Sequence, residues 1–231
     1  MSYGQYAGSP TDALRRQGVM TQVYAWMTAG LLVTGAIAMF IAGVPGLVMA
    51  IFGNPFIFFG LIIAQLAMVW FLSARVMSLS PATATGLFLG YAALNGLVFS
   101  MIFLAYTLPS IASTFFITAG TFGAMSLYGY TTKRDLSGMG SFLFMALIGL
   151  ILASVVNIFW ANSTLYWIVT YAGVLIFVLL TAYDTQKIKR LTEQVRDEHG
   201  ERRVAIYGAL TLYLDFINLF LFLLRILGDR R

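Results

Sequence analysis

The chain has 231 residues, of which 60% are hydrophobic and only 10% are charged, and its mean hydropathy is +0.85. This composition lies far outside the range of soluble globular proteins and excludes a soluble enzyme or a soluble binding domain. The net charge of +5 would favour a nucleic-acid partner in a soluble protein, but in so apolar a chain the basic residues border a membrane and face anionic lipid, so no nucleic-acid partner is expected.

The first 19 residues, MSYGQYAGSPTDALRRQGV, contain no apolar run. They therefore do not form a secretory signal, and their Gly, Ser and Pro content predicts a flexible tail. Everything after this tail, residues 20–231, is predicted to form a single transmembrane domain.

Seven apolar segments follow, each long enough to cross a hydrocarbon core of about 30 Å at 1.5 Å per residue. The predicted spans are 20–43, 54–74, 82–106, 110–131, 139–160, 164–187 and 205–227. Turn-forming residues such as Asn54-Pro55 and Ser80-Pro81 separate them. The sequence therefore predicts an all-α integral membrane protein with seven transmembrane helices.

Lys and Arg are distributed unevenly among the connections. Eleven of them lie in the tail and in the second, fourth and sixth connections, whereas the first, third and fifth connections contain none. Because short cytoplasmic loops accumulate basic residues, the N-terminus is predicted to be cytoplasmic and the C-terminus periplasmic. Arg225, Arg230 and Arg231 are the exceptions, and a last segment that re-enters instead of crossing would return them to the cytoplasmic side. We favour seven crossings.

Two acids lie inside predicted spans, where a charge costs at least about 2.5–3.5 kcal/mol and is tolerated mainly on a face that points into a bundle. Asp215 is about ten residues from either end of the seventh span, and no cation is at a neighbouring position of its own helix. Thr211 and Asn218 share its side and give a polar stripe. Its partner must come from another helix, from water or from an ion.

Asp184 lies near the cytoplasmic end of the sixth span, and an ordinary salt bridge to Lys187 is the structural alternative there. Contact between the two aspartates requires the sixth helix to continue past Lys187 and the seventh to be shifted inward. Other polar or small residues within spans are interpreted as helix-packing contacts: Gln65, Asn95, Asn157, Gly86, Gly90, Gly120 and Gly123.

Paired membrane aspartates also occur in intramembrane aspartyl proteases, which share a proton between two carboxylates. Here Leu212-Tyr213-Leu214 precedes Asp215 in place of a Gly-x-Gly approach, and no Pro-Ala-Leu element follows, since the last proline is Pro109. The only histidine, His199, lies in the sixth connection, and cysteine is absent. We therefore expect neither enzymatic activity nor a resident cofactor.

Three sequence strings carry a family resemblance: TAGTFGAMSLYGYTTKRDLSGMG at 118–140, AYDTQ at 182–186 and GALTLYLDFINLFLFLLRILG at 208–228. With these strings the chain resembles the Bax inhibitor family of transmembrane proteins, and most closely its bacterial inner-membrane branch. The resemblance covers about residues 20 to 227.

The resemblance implies six helices in two layers around a central, apolar C-terminal helix, with Asp184 and Asp215 as the family's aspartate pair. It also implies a pH-sensitive calcium leak in which this pair is both the proton sensor and part of the ion path. Arg225 matches a family arginine that braces the closed state with an acid on the second helix. This chain departs from the pattern, since its second span has Gln65 and no acid.

The chemistry of such a pair is plausible by itself. Two carboxylates close together in a low-dielectric bundle cannot both ionise cheaply, so their protonation is coupled. A singly protonated pair can hydrogen-bond and hold two helices together, whereas two negative charges repel and attract a divalent cation. Calcium takes six to eight oxygen ligands, so water and amides such as Asn218 would have to complete its shell.

Two other functions stay open at this stage. One is a membrane interaction protein that modulates, or is a substrate of, a membrane protease or another quality-control protein. The other is a proton-coupled cation exchanger, which differs from a leak in requiring an opposing proton gradient.

Overall fold

The computed structural model describes residues 10–195 and 197–231, with side chains from Leu14 onward. Within these ranges the chain forms eight α-helices and no β-strand beyond one isolated bridge. The helices are α1 Pro10–Ala42, α2 Pro45–Phe52, α3 Pro55–Arg75, α4 Pro81–Ala105, α5 Leu108–Thr131, α6 Ser137–Trp160, α7 Ser163–Gln194 and α8 Glu198–Leu227.

Seven of the described helices, all except α2, are long and apolar enough to cross a membrane. The prediction of an all-helical protein with seven spans is confirmed. Polar turn residues fix where several spans begin: the side chains of Asn54, Ser80 and Asn162 accept hydrogen bonds from the first turns of α3, α4 and α7. These N-caps satisfy backbone N–H groups that have no partner within the helix.

Several helix ends differ from the predicted spans. The tail predicted over residues 1–19 is too long, because α1 already begins at Pro10 and Val19 is buried; residues 1–9 lie outside the described part of the chain. Arg15 forms an ion pair with Glu201, and Arg16 with Glu193. Such contacts between distant segments extend a helix where the local composition favours a loop.

The short helix α2 was not predicted, since its residues were assigned to the connection between the first two spans. It contains eight residues, PGLVMAIF, and none of them is buried. Pro45 lies in its first turn, where a missing N–H costs nothing. Eight residues rise only about 12 Å, so α2 cannot cross the bilayer.

Helix α8 lies at the centre of the bundle and packs against α1, α4, α5 and α7. Half of its most apolar 18 residues are buried, the largest share among the seven spans. Tyr213 is fully buried, with its hydroxyl 2.7 Å from Thr34 Oγ1 and its ring edge-on to Phe88 and Tyr91. The C-terminal helix is therefore central, and the two-layer order of the other six stays a prediction.

The C-terminus is fixed at the connection between α4 and α5. The Arg231 N–H donates to the Ala105 carbonyl at 3.0 Å, and the Asp229 N–H donates to Ser110 Oγ at 2.9 Å. Helices α1 and α4 run parallel, since Gly30 lies against Phe88 and Ile37 against Gly96, so the end of α4 is opposite to the start of α1, where Glu201 of α8 pairs with Arg15. Helix α8 thus runs through the whole bundle, and the re-entrant alternative is wrong.

Close helix contacts occur at other glycines than those predicted. A Cβ on Gly86, Gly90, Gly120 or Gly123 would meet no atom within 4 Å, so the packing interpretation is wrong for these four positions. In contrast, a Cβ on Gly129 would lie 2.9 Å from the carbonyl carbon and Cα of Ala182, which brings α5 directly onto the backbone of α7. Glycine spacing indicates a smooth helix face without saying what that face contacts.

Candidate functional site

Asp184 and Asp215 are both buried, with exposed fractions of 8% and 4%, and they lie on two helices that pack together. Helix α7 continues past Lys187 to Gln194, and α8 begins at Glu198, so the two helices form a long antiparallel hairpin. These are the extensions that contact between the aspartates requires.

The register of the hairpin follows from two close approaches. A Cβ on Gly208 would touch Ile188, and a Cβ on Gly173 would touch Phe222. In this register Asp184 and Asp215 are about one helical turn apart along the hairpin, roughly 5 Å. The aspartates also interact electrostatically with each other and with Lys187.

Lys187 lies about one helical turn after Asp184 on α7. Its Nζ lies 5.7 Å from the centre of the Tyr207 ring of α8 and 6.0 Å from that of Tyr183. Among the ion pairs of the described residues, none joins Lys187 to Asp184. The simple salt bridge considered from the sequence is therefore replaced by a half-buried lysine held between two tyrosines.

Asp215 Oδ2 is buried and has no hydrogen-bond partner among the described residues. The predicted supporting residues lie on adjacent turns but bind their own helix: Thr211 donates to the Tyr207 carbonyl at 3.0 Å and Asn218 to the Leu214 carbonyl at 2.8 Å. Leaving a buried polar atom unsatisfied costs about 1–3 kcal/mol, and more when it is charged. This oxygen is thus an unused ligand for a proton, a water molecule or a cation.

A set of polar contacts around Asp184 holds α7 to α5 and to the connection between α5 and α6. Thr185 Oγ1 lies 3.1 Å from Ser126 Oγ, and Lys189 donates to the Tyr130 carbonyl at 2.8 Å. Gln186 accepts from the Leu136 N–H and donates to the Arg134 carbonyl. Sequence reasoning missed these residues, although three of them directly follow or lie close to Asp184 and the AYDTQ string includes Gln186.

Arg225 is not part of this cluster. It lies ten residues beyond Asp215, about 15 Å along the axis, and its guanidinium carbon is 5.0 Å from the centre of the Phe222 ring and 5.7 Å from that of Tyr166. Gln65 of α3 donates to Asn95 Oδ1 of α4 at 3.4 Å. Arg225 thus lies on aromatic rings near the C-terminus of α8, where a cation is favourable.

A cation at this site would meet two carboxylates and few other acids. Among the described residues no group of three or more His, Cys, Asp or Glu side chains could hold a metal ion. Two carboxylates supply fewer oxygens than calcium takes, so water or amide oxygens would complete the shell.

Outside the spans, Asp135 lies in the connection between α5 and α6. A hydrogen bond from the Ser137 N–H at 2.9 Å, together with Arg190 at 2.6 Å, lowers the pKa of Asp135 to about 2. Since the pKa is lowered by folding, the stabilisation is complete above the ordinary pKa near 4 and is lost as the pH falls toward 2.

We expect Asp135→Asn to lower the melting temperature in detergent slightly at pH 7, because an exposed ion pair contributes little. The difference from the unsubstituted protein should shrink below about pH 4 and vanish near pH 2. Thermal melts recorded across this pH range provide the measurement. A difference that is as large at pH 2 as at pH 7 would contradict the assignment.

Comparison with known proteins confirms the family resemblance. The family described as inhibitor of apoptosis-promoting Bax1 matches residues 16–231. The inner membrane protein YbhL of Escherichia coli K12 is 58% identical over 217 residues, which cover 93% of each chain. A protein of Borreliella burgdorferi is 44% identical over 221 residues, 95% of each chain, and one of Deinococcus radiodurans is 44% identical over 211 residues, 91% of this chain and 90% of the relative. The chain is therefore a multi-pass membrane protein that belongs to the Bax inhibitor family.

Proposed function

We propose that the protein is a pH-sensitive cation leak channel of the bacterial inner membrane, with calcium as its cargo and Asp184 and Asp215 as its gate. The observation that carries the proposal is the buried Asp215 Oδ2, which has no partner among the described residues and lies on the helix that faces Asp184. The location is supported by the name of the Escherichia coli relative, an inner membrane protein.

The gate works through the charge on the pair. With one proton shared, the carboxylates hydrogen-bond and hold α7 against α8. When both are ionised in a low-dielectric bundle they repel, the hairpin loosens, and a divalent cation is attracted by the two negative charges. Flux should therefore rise with pH.

The polar contacts on the other face of α7 support this division of roles. Thr185, Gln186 and Lys189 bond to α5 and to the connection after it. They hold one side of α7 in place while the side that carries Asp184 faces α8. In this proposal the N-terminus is cytoplasmic and the C-terminus periplasmic. Asp184 then lies in the cytoplasmic half of α7.

The test is calcium entry into proteoliposomes that contain a fluorescent indicator, measured between about pH 5 and 8. We expect entry above that of empty liposomes, with the larger rate at the higher pH. Absence of flux from protein shown to be folded and inserted would reject the leak and favour the role as a membrane interaction protein. Flux that occurs only against an opposing proton gradient would identify an exchanger.

A further inference from the structure

A long groove of about 930 Å³ runs between α1 and α5, with Phe216 of α8 at its floor. On α1 its lining extends from Gln17 to Met39, about 33 Å at 1.5 Å per residue. This length matches the hydrocarbon thickness of a bilayer, about 30 Å. Its rims are exposed on both sides, for example at Leu32 and Leu127, so the groove faces the lipid phase.

The groove is polar in one half only. The polar half takes in the α1 lining as far as its middle and the last part of the α5 lining, and the rest of the groove is apolar. Its polar side chains are Gln17, Thr21, Tyr24, Thr28, Ser126 and Tyr130. Lys189 stands beside this polar half, with its Nζ 4.9 Å from the centre of the Tyr130 ring. Lys133 and Arg134 follow Tyr130 within four residues, whereas Arg15 and Arg16, which precede Gln17, are paired with Glu201 and Glu193. The groove thus combines an apolar trough with a basic mouth.

We infer that this groove binds one phospholipid molecule, with its acyl chains along the apolar part and its phosphate at the end near Gln17 and Tyr130. A negatively charged phosphate complements the basic mouth, and flexible acyl chains adapt to a narrow trough.

Two glycines make the inference testable without collisions in the protein. Gly35 on α1 and Gly123 on α5 both line the groove, and a Cβ on either would meet no atom within 4 Å. A leucine at either position therefore extends into the groove. Gly120 has the same free space on the same helix as Gly123 but does not line the groove, so it is the matched control.

The experiment compares Gly35→Leu, Gly123→Leu and Gly120→Leu with the unsubstituted protein, each reconstituted with phosphatidylglycerol and phosphatidylethanolamine and then washed in detergent. Native mass spectrometry counts the phospholipids retained per chain. We expect the unsubstituted protein and Gly120→Leu to retain about one phospholipid, and each groove variant to bind it at least about tenfold more weakly, equivalent to 1.4 kcal/mol. Melting temperatures in the same detergent check folding, and the two groove variants lie on opposite walls, so either one alone can carry the test.

Other outcomes overturn the inference. Equal retention by the control and the groove variants would show that bound lipid lies elsewhere, and an unsubstituted protein that retains no phospholipid after washing would show that the groove holds none. If the unsubstituted protein is a dimer in the mass spectrum and Gly123→Leu is a monomer with unchanged lipid, the groove is an interface between two copies of the chain. The readout does not involve cation flux, so it is independent of the proposed channel function.

Discussion

Asp215→Asn should remove the pH dependence of calcium entry into proteoliposomes. Asp215 is buried, its Oδ2 has no partner among the described residues, and Asp184 of the facing helix acts on it electrostatically. Asparagine cannot ionise, so the pair can no longer reach the doubly charged state that drives opening in the proposed gate. We expect the flux at about pH 8 to fall to the level measured at about pH 5, with indicator fluorescence as the measurement.

Asp184→Asn should have the same effect, and the double variant should be no worse than either single variant, because residues that act as one unit are not additive. Glu198→Gln is the matched control: it removes an exposed carboxylate in the first turn of α8, whose ion-pair partner is Arg202. A single variant that keeps the full pH profile would refute the gate. A control variant that loses the profile would show that the assay reports general damage.

The seven spans could be predicted because the bilayer imposes one simple requirement, a run of apolar residues long enough to cross it. The ends of α7 and α8 could not, since charged residues such as Lys189 and Glu201 read as a loop when only hydropathy is considered. In the structure Lys189 bonds the Tyr130 carbonyl, and Glu201 pairs with Arg15. These partners are distant in the sequence, and hydropathy contains no information about them.

The aspartates themselves could be singled out from the sequence, because an acid in the hydrocarbon region is costly wherever it lies. Their juxtaposition was implied by the family resemblance alone, since it depends on a hairpin register that is set by Gly208 against Ile188 and Gly173 against Phe222. Sharing a helix face was also a poor guide to contact. Thr211 and Asn218 lie on adjacent turns of α8, yet each donates to a carbonyl of its own backbone.

Tyr213→Ala should be the most destabilising substitution in the core of the bundle. The side chain is fully buried, packs edge-on against Phe88 and Tyr91, and has its hydroxyl 2.7 Å from Thr34 Oγ1. Truncation of a large buried aromatic ring leaves a cavity and costs about 3–5 kcal/mol. Unfolding of the detergent-solubilised protein by sodium dodecyl sulfate should therefore occur at a lower denaturant fraction, while Tyr171→Ala, at a side chain 58% exposed on α7, serves as the control.

Tyr213→Phe separates packing from the hydrogen bond, because it keeps the ring. Thr34 already directs its hydroxyl hydrogen to backbone carbonyls, so the Tyr213 hydroxyl is the donor to Thr34, and its loss should cost only about 1 kcal/mol. If Tyr213→Phe destabilises as much as Tyr213→Ala, the polar contact between α1 and α8 and not the packing would be the main contribution to stability.

Two residues along a helix correspond to about 200° of rotation, so Tyr213 faces away from Asp215. Tyr213→Phe should accordingly leave the pH profile of calcium entry unchanged, because the core that positions α8 and the gate that it carries lie on opposite faces of the same helix.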